Sequence, residues 1–333
     1  MKIGYLGAGT WGSALTALLA SQGHQVKVWD RNTDLIHHLK TSRTHPKLSG
    51  FKASENVIYC ENIEDAIEDA DLLVESVTSS GIRPVLQKVH EMKTDKMCPI
   101  IITSKGIEQK TGLLFPEVAL EVLGKENKHL IGIISGPSHA EEVIHQLPTS
   151  VVASSFDPEL MKTIVKVFTS PDFRVYPNAD IYGVAFGGAF KNIIAIACGI
   201  SDGLGYGINT KAALMTRGLH EMRKLCTAKK AIPETLNGLS GLGDLIVTCS
   251  STLSRNYRFG RLVAEGLSLE EAKEKIGMIV EGVYTTVSGY ELGKKYGIPI
   301  PITEAAYKVL YEGFPSSNAV KALLQRTIKE EHL

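Results

Sequence analysis

Short β-branched runs alternate with amphipathic stretches through the first half of the chain. Residues 2–6, 25–29, 57–60, 72–77, 100–103, 130–134 and 150–153 read as strands. Between most of them, apolar residues recur every three to four positions over 11–21, 63–70, 82–92 and 113–123. A helix over 157–170, opened by Asp157-Pro158, and a strand over 173–176 close the region. Such alternation predicts right-handed βαβ units in an α/β, doubly wound, mainly parallel sheet.

From residue 181 only helical periodicity remains, over 181–200, 210–229, 254–265, 269–276, 285–296, 303–311 and 318–329. Ser268-Leu269-Glu270-Glu271 reads as a capping box, and Gly297 and Gly313 stand where helices should end. The pattern therefore predicts two domains, 1–180 and 181–333, the second all-helical. No Pro/Gly/Ser-rich linker separates them.

Composition bounds the function classes. Lys+Arg and Asp+Glu are both 36, so no global field points to nucleic acid or a membrane surface. Five scattered cysteines without a CxxC pair argue against a disulfide framework or zinc knuckle and for a reducing cytoplasm. The ten histidines form no i,i+4 pair, so no metal is expected, and they read as surface or loop residues. The most apolar segment, around Lys191, carries that central lysine and several glycines, which argues against an integral membrane span.

Gly7-Ala8-Gly9-Thr10-Trp11-Gly12 fits GxGxxG between a strand and a helix. Gly7 permits the tight turn, Gly9 lets a pyrophosphate approach the backbone, and Gly12 lets helix and strand pack closely. A dinucleotide is the expected ligand. Asp30, ending the second strand, suits the ribose 2′-OH of NAD, whereas the adjacent Arg31 suits the 2′-phosphate of NADP. The two point in opposite directions, so NAD or NADP both remain open.

Lys191 is the only charged residue between Asp180 and Asp202. Either its stem is buried with its head in water, or a dry pocket needs a tunable ammonium. Other polar groups invite the second reading. Lys105 follows a strand at the carboxyl end of the sheet, and Ser135-Gly136-Pro137-Ser138 opens a helix after the next strand. Gly241-Leu242-Gly243-Asp244 is a glycine-bracketed carboxylate. Ser254-Arg255-Asn256 at a helix start joins hydroxyl, guanidinium, amide and helix N–H groups, as a phosphate site does.

In order along the chain stand the glycine loop, Ser104-Lys105-Gly106-Ile107-Glu108, Ile134–Ser138 (ISGPS), Phe190–Ile196 (FKNIIAI), Gly241–Asp244, Ser254–Asn256 and Val280-Glu281-Gly282. By these motifs the chain is similar, over nearly its whole length, to the bacterial-type NAD(P)-dependent glycerol-3-phosphate dehydrogenases. The resemblance implies a Rossmann domain followed by an all-α domain of the 6-phosphogluconate-dehydrogenase kind, with the active site between them. It implies interconversion of dihydroxyacetone phosphate and sn-glycerol 3-phosphate for phospholipid synthesis, in a cytoplasmic homodimer. Lys191 matches the family's catalytic lysine. Lys105, Gly136, Ser138, Lys191, Asp244, Ser254, Arg255 and Asn256 match substrate-binding positions. Besides the loop glycines, Thr10, Trp11, Arg31, Lys105, Ala140, Arg255, Ile279 and Glu281 match cofactor-binding positions.

One segment departs from the family. Where its fourth strand usually ends in Pro-Ser, this chain has Glu75-Ser76-Val77-Thr78, so no cofactor contact carries over there. Two rival readings stand beside the resemblance: a related dehydrogenase of a hydroxy acid or sugar acid phosphate, and a non-catalytic NAD(P)-binding sensor. The sensor leaves Lys191, Lys105 and Asp244 without a role.

Overall fold

The computed structural model describes residues 1–92, 97–327 and 330. It divides into two compact units, Met1–Ser104 with Phe115–Val184, and Lys105–Leu114 with Ala185–Leu333. Lys105–Leu114 thus joins the second unit out of chain order, which the linear change of pattern at 180 does not register.

The first unit runs β1 (Lys2–Leu6), α1 (Thr10–Ser21), β2 (Gln25–Trp29), α2 (Thr33–Ser42), β3 (Thr44–His45), β4 (Leu48–Lys52), β5 (Val57–Cys60), α3 (Ile63–Ile67), β6 (Leu72–Glu75), α4 (Ile82–Glu91) and β7 (Ile100–Ile102). It continues with α5 (Phe115–Leu123), β8 (Ile131–Ser135), α6 (Ala140–Ile144), β9 (Thr149–Ser155), α7 (Pro158–Phe168) and β10 (Phe173–Pro177). The main sheet has the order β10-β9-β8-β7-β6-β1-β2-β5. Every neighbouring pair is parallel except β8 with β9. The expected doubly wound, mainly parallel sheet is therefore present.

β6, β7 and β8 are buried at every position, as strands covered on both faces must be. The predicted strand over 72–77 stops at Glu75, although the Ser76 N–H still donates to the Leu6 carbonyl at 2.8 Å. The predicted strand over 100–103 likewise ends at Ile102. An unexpected feature is the antiparallel hairpin of β3 and β4, inserted after α2. Its Leu48 and Phe51 enter the apolar core with Ala8, Leu15, Ala140 and Val143.

The second unit is helical: α8 (Ile181–Gly203, whose first turn belongs to the first unit), α9 (Ile208–Ala228), α10 (Asp244–Ser250), α11 (Arg255–Ala264), α12 (Leu269–Ile276), α13 (Glu281–Tyr296), α14 (Pro301–Tyr311) and α15 (Ser316–Leu324). The expected end of the last helix at Lys329 lies outside the described residues. α8 is long and apolar enough to cross a membrane, yet 94% of its most apolar window is buried within the protein. Apolar residues all around a helix fit a core position. α13 starts at Glu281, one turn earlier than periodicity implies. The capping box at Ser268 and Glu271 forms as expected, and Gly297 closes α13 in the left-handed conformation.

Candidate functional site

Three charged side chains converge in the second unit. Lys191 lies midway along α8 and Asp244 opens α10; the loop that follows β7 contributes Lys105. Asp244 binds Lys191 through Oδ1 and Lys105 through Oδ2, the latter at 2.7 Å. Lys191 also donates to Thr248 Oγ1 at 2.7 Å, while the Thr248 hydroxyl donates to the Asp244 carbonyl at 2.6 Å. At 6% exposure, Lys191 has its head in the interior and not in water. That decides between the two readings of this residue.

Geometry sets the electrostatics. Burial lowers the Lys191 pKa, Asp244 opposes that and Lys105 reinforces it, leaving the ammonium at about 8. Burial raises the Asp244 pKa, but Lys105 and Lys191 overcome it and hold the carboxyl below its usual range. One carboxylate facing two ammoniums leaves the cluster with a net positive charge. Its most readily surrendered proton lies on Lys191, within reach of neutral pH.

Thr248 was not singled out in the sequence, although it stands four residues after Asp244 and so one helical turn on. The segment after Gly243 reads as a short apolar run; its folding as α10 aligns the two side chains. Before it, Leu239–Gly243 forms a π-helical turn. A Cβ on Gly241 would lie 2.2 Å from the Leu236 carbonyl oxygen, so this tight turn demands glycine.

A separate corner holds Ser254, Arg255 and Asn256 at the start of α11. Ser254 is the N-cap, accepting from the Tyr257 N–H. Arg255 Nη1 donates to the Ile279 carbonyl at 3.0 Å, two residues before Glu281 opens α13. Asn256 Nδ2 donates to Asn192 Oδ1 at 3.0 Å and its Oδ1 accepts from the Gly282 N–H at 2.8 Å. Asn256 thereby ties α11 and α13 to α8 at the residue beside Lys191.

The glycine loop is in the first unit. Gly7 has φ +112°, and its N–H donates to the Trp29 carbonyl at 2.7 Å. A Cβ on Gly12 would lie 2.1 Å from the Gly7 carbonyl oxygen, whereas one on Gly9 would meet nothing within 4 Å. Gly7 and Gly12 therefore serve the turn and packing, and Gly9 faces open space at the N-terminus of α1. That asymmetry fits a pyrophosphate resting on bare backbone. Thr10 and Trp11 begin α1, and the buried Trp11 Nε1 has no hydrogen-bond partner among the described residues.

Asp30 is committed locally. Its Oδ2 accepts from the Ala8 N–H at 2.7 Å and its Oδ1 from the Asn32 N–H at 2.8 Å. Arg31 is exposed. Past β8, Gly136 has φ +148° and Ser138 Oγ donates to its carbonyl at 2.8 Å; Ala140 opens α6. Glu75 is fully buried at the end of β6, its Oε1 accepting from the Val77 N–H at 2.5 Å and Ser104 Oγ at 2.7 Å. The expectation of surface histidines is corrected at His45, which is buried on the hairpin of β3 and β4 with its ring edge-on to the core residue Phe51.

Two family models cover most of the chain. Residues 2–161 match the NAD-dependent glycerol-3-phosphate dehydrogenase N-terminus and residues 180–321 match the C-terminus. A glycerol-3-phosphate dehydrogenase [NAD(P)+] of Protochlamydia amoebophila (strain UWE25) is 55% identical over 332 residues, covering 100% of this chain and 99% of the relative. One from Chlamydia pneumoniae is 53% identical, covering 99% of each. The crystal structure of glycerol-3-phosphate dehydrogenase from Coxiella burnetii superposes with a TM-score of 0.93 at 36% identity, over 98% of this chain and 99% of that one. On the glycine loop, the buried lysine–aspartate cluster and these full-length matches, the chain belongs to the NAD-dependent glycerol-3-phosphate dehydrogenase family.

Proposed function

We propose that this chain catalyses reversible reduction of dihydroxyacetone phosphate to sn-glycerol 3-phosphate with NADH or NADPH, in the cytoplasm and as a homodimer. The observation that carries the reading is a buried lysine of lowered pKa, held by Asp244 and Thr248, in a chain with an open glycine loop. The bound nicotinamide supplies the hydride in reduction and takes it in oxidation.

The protein's part is proton management and positioning. In reduction, Lys191 Nζ gives a proton to the substrate's C2 oxygen as negative charge develops there. In oxidation, neutral Lys191 Nζ takes the C2 hydroxyl proton. Asp244 and Thr248 fix the amine's direction, and Lys105 orients the substrate oxygen. Ser254, Arg255 and Asn256, at the N-terminus of α11, bind the phosphate; Gly136 and Ser138 are likewise assigned to the substrate. That remote anchor uses binding energy to hold the reacting carbon in place. Gly7, Gly9, Thr10, Trp11, Gly12, Arg31 and Ala140 are assigned to the dinucleotide, as are Lys105, Arg255, Ile279 and Glu281.

The test is a panel of phosphorylated ketones and keto acids with each reduced dinucleotide, followed by nicotinamide absorbance. Turnover of dihydroxyacetone phosphate well above the others supports the assignment. Preference for a keto acid, or binding without turnover, would overturn it in favour of the related dehydrogenase or the sensor. Sedimentation of the purified chain tests the homodimer.

A further inference from the structure

We propose that Glu75, the carboxyl at the buried end of β6, is a positioning residue for the nicotinamide half of the bound dinucleotide, acting through the Ser76–Val77 peptide that lies against Gly7. This rests on the reading of the glycine loop as the dinucleotide site. The rest of β6 is Leu72, Leu73 and Val74, and a carboxyl at the end of such a strand is costly to bury unless its hydrogen bonds offset the loss of water. Glu75 Oε1 accepts the Val77 N–H at 2.5 Å. Ser104 Oγ lies 2.7 Å from the same oxygen and 2.5 Å from the Val77 carbonyl, so residue 77 is held at both its N–H and its C=O.

Ser76 is held as firmly. Its N–H donates to the Leu6 carbonyl at 2.8 Å, and its Oγ bonds Tyr5 Oη at 2.7 Å and Thr103 Oγ1 at 2.5 Å. A Cβ on Gly7 would lie 2.7 Å from the Ser76 carbonyl oxygen and 3.1 Å from the Val77 nitrogen. The peptide whose N–H Glu75 binds is therefore the one packed on Gly7, where the glycine loop begins.

Strand order says which half of the ligand this peptide serves. β2 and β5 lie on one side of β1, and β6 and β7 lie on the other. The crevice at the carboxyl ends of β1 and β6 is thus the point where the order reverses, and ligands of open α/β sheets bind there. Leu6 and Glu75 are register partners at that point. A pyrophosphate on the loop after β1 directs the adenosine half toward Asp30 at the end of β2, and so the nicotinamide half toward β6. Glu75 fixes the backbone on the nicotinamide side, and the adenosine side does not depend on it.

The experiment compares two ligands on the full chain: NADH by fluorescence titration, and ADP by calorimetry. ADP carries the adenosine and the diphosphate but no nicotinamide half. Glu75→Met keeps the side-chain length and removes the acceptor. It should raise Kd for NADH about tenfold, the scale of one lost hydrogen bond, and leave Kd for ADP within about twofold. Glu75→Gln keeps an oxygen for the Val77 N–H and should hold NADH affinity within about threefold of the parent. Ser104→Ala removes the tie to the Val77 carbonyl and should bias binding against NADH in the same sense, so the test does not depend on the Met variant folding. NADH affinity unchanged in Glu75→Met, equal losses for NADH and ADP, or a Gln variant as impaired as Met overturns the role of Glu75. Failure of the parent protein to bind either ligand overturns the reading of the glycine loop instead.

Discussion

Replacing Asp244 with Asn removes the single negative charge facing two lysines while keeping the volume and hydrogen-bonding shape of the side chain. Lys105 Nζ stands 2.7 Å from Asp244 Oδ2, and Lys191 binds the other oxygen. At an effective dielectric of about 20, opposite charges at that separation attract by about 6 kcal/mol. If only a third of this survives side-chain relaxation, about 2 kcal/mol, the Lys191 pKa drops by about 1.5 units. From about 8 in the native cluster, it would reach about 6.5. At about pH 7.5 the protonated fraction then falls from about three quarters to about a tenth. The assay is kcat for dihydroxyacetone phosphate reduction across pH at saturating substrate, so that weaker binding does not mask the proton donor. In the parent protein the rate should decline as pH rises through about 8, and the reverse reaction should rise over the same interval. The Asn variant should move both limbs to lower pH and turn over about eightfold more slowly near pH 7.5. Unshifted limbs with full turnover would refute the coupling of Lys191 to Asp244 as the acid of the reaction.

Other perturbations separate the remaining parts. Lys191→Met should cut kcat by about 10²-fold or more; turnover near normal at any pH would contradict this. Arg31→Ala should raise KM for NADPH several-fold more than KM for NADH, since Asp30 already accepts two backbone N–H groups and Arg31 is exposed; equal effects on both would remove Arg31 from 2′-phosphate recognition. Glu221, 3% exposed, accepts the Ile302 and Thr303 N–H groups at the start of α14 at 2.6 and 3.2 Å, and burial lifts its pKa to about 7. The folded state thus binds this proton more tightly than the unfolded chain, so the group's contribution is present at low pH and lost as pH rises through about 7. Denaturant unfolding of the parent and Glu221→Gln should diverge over that window by up to about 3 kcal/mol, and a constant difference would contradict it.

Much of the first unit was legible because its signals are local. A strand, GxGxxG and an amphipathic helix lie within residues 2–21, and the steric needs of Gly7, Gly9 and Gly12 follow from that turn alone. Ser268 and Glu271 announced α12 for the same reason: the capping box closes within one turn. The hairpin of β3 and β4 escaped notice because its strands are short and His45-Pro46-Lys47 looks like a polar loop. α10 escaped because an apolar run of its length fits strand or helix alike.

From the sequence alone came the α/β unit followed by helices, the dinucleotide loop, and a lysine anomalous in its apolar surroundings. Each rests on periodicity, backbone sterics or composition, which act over a few residues. Only the tertiary structure decided that Lys191 points inward, that Asp244 and Thr248 hold it from 53 and 57 residues away, and that Lys105 shares the same carboxylate. It also decided that His45 is a core residue. Burial and charge pairing set the protonation of these groups, and both depend on which distant segments exclude water from one another; no local spacing encodes that.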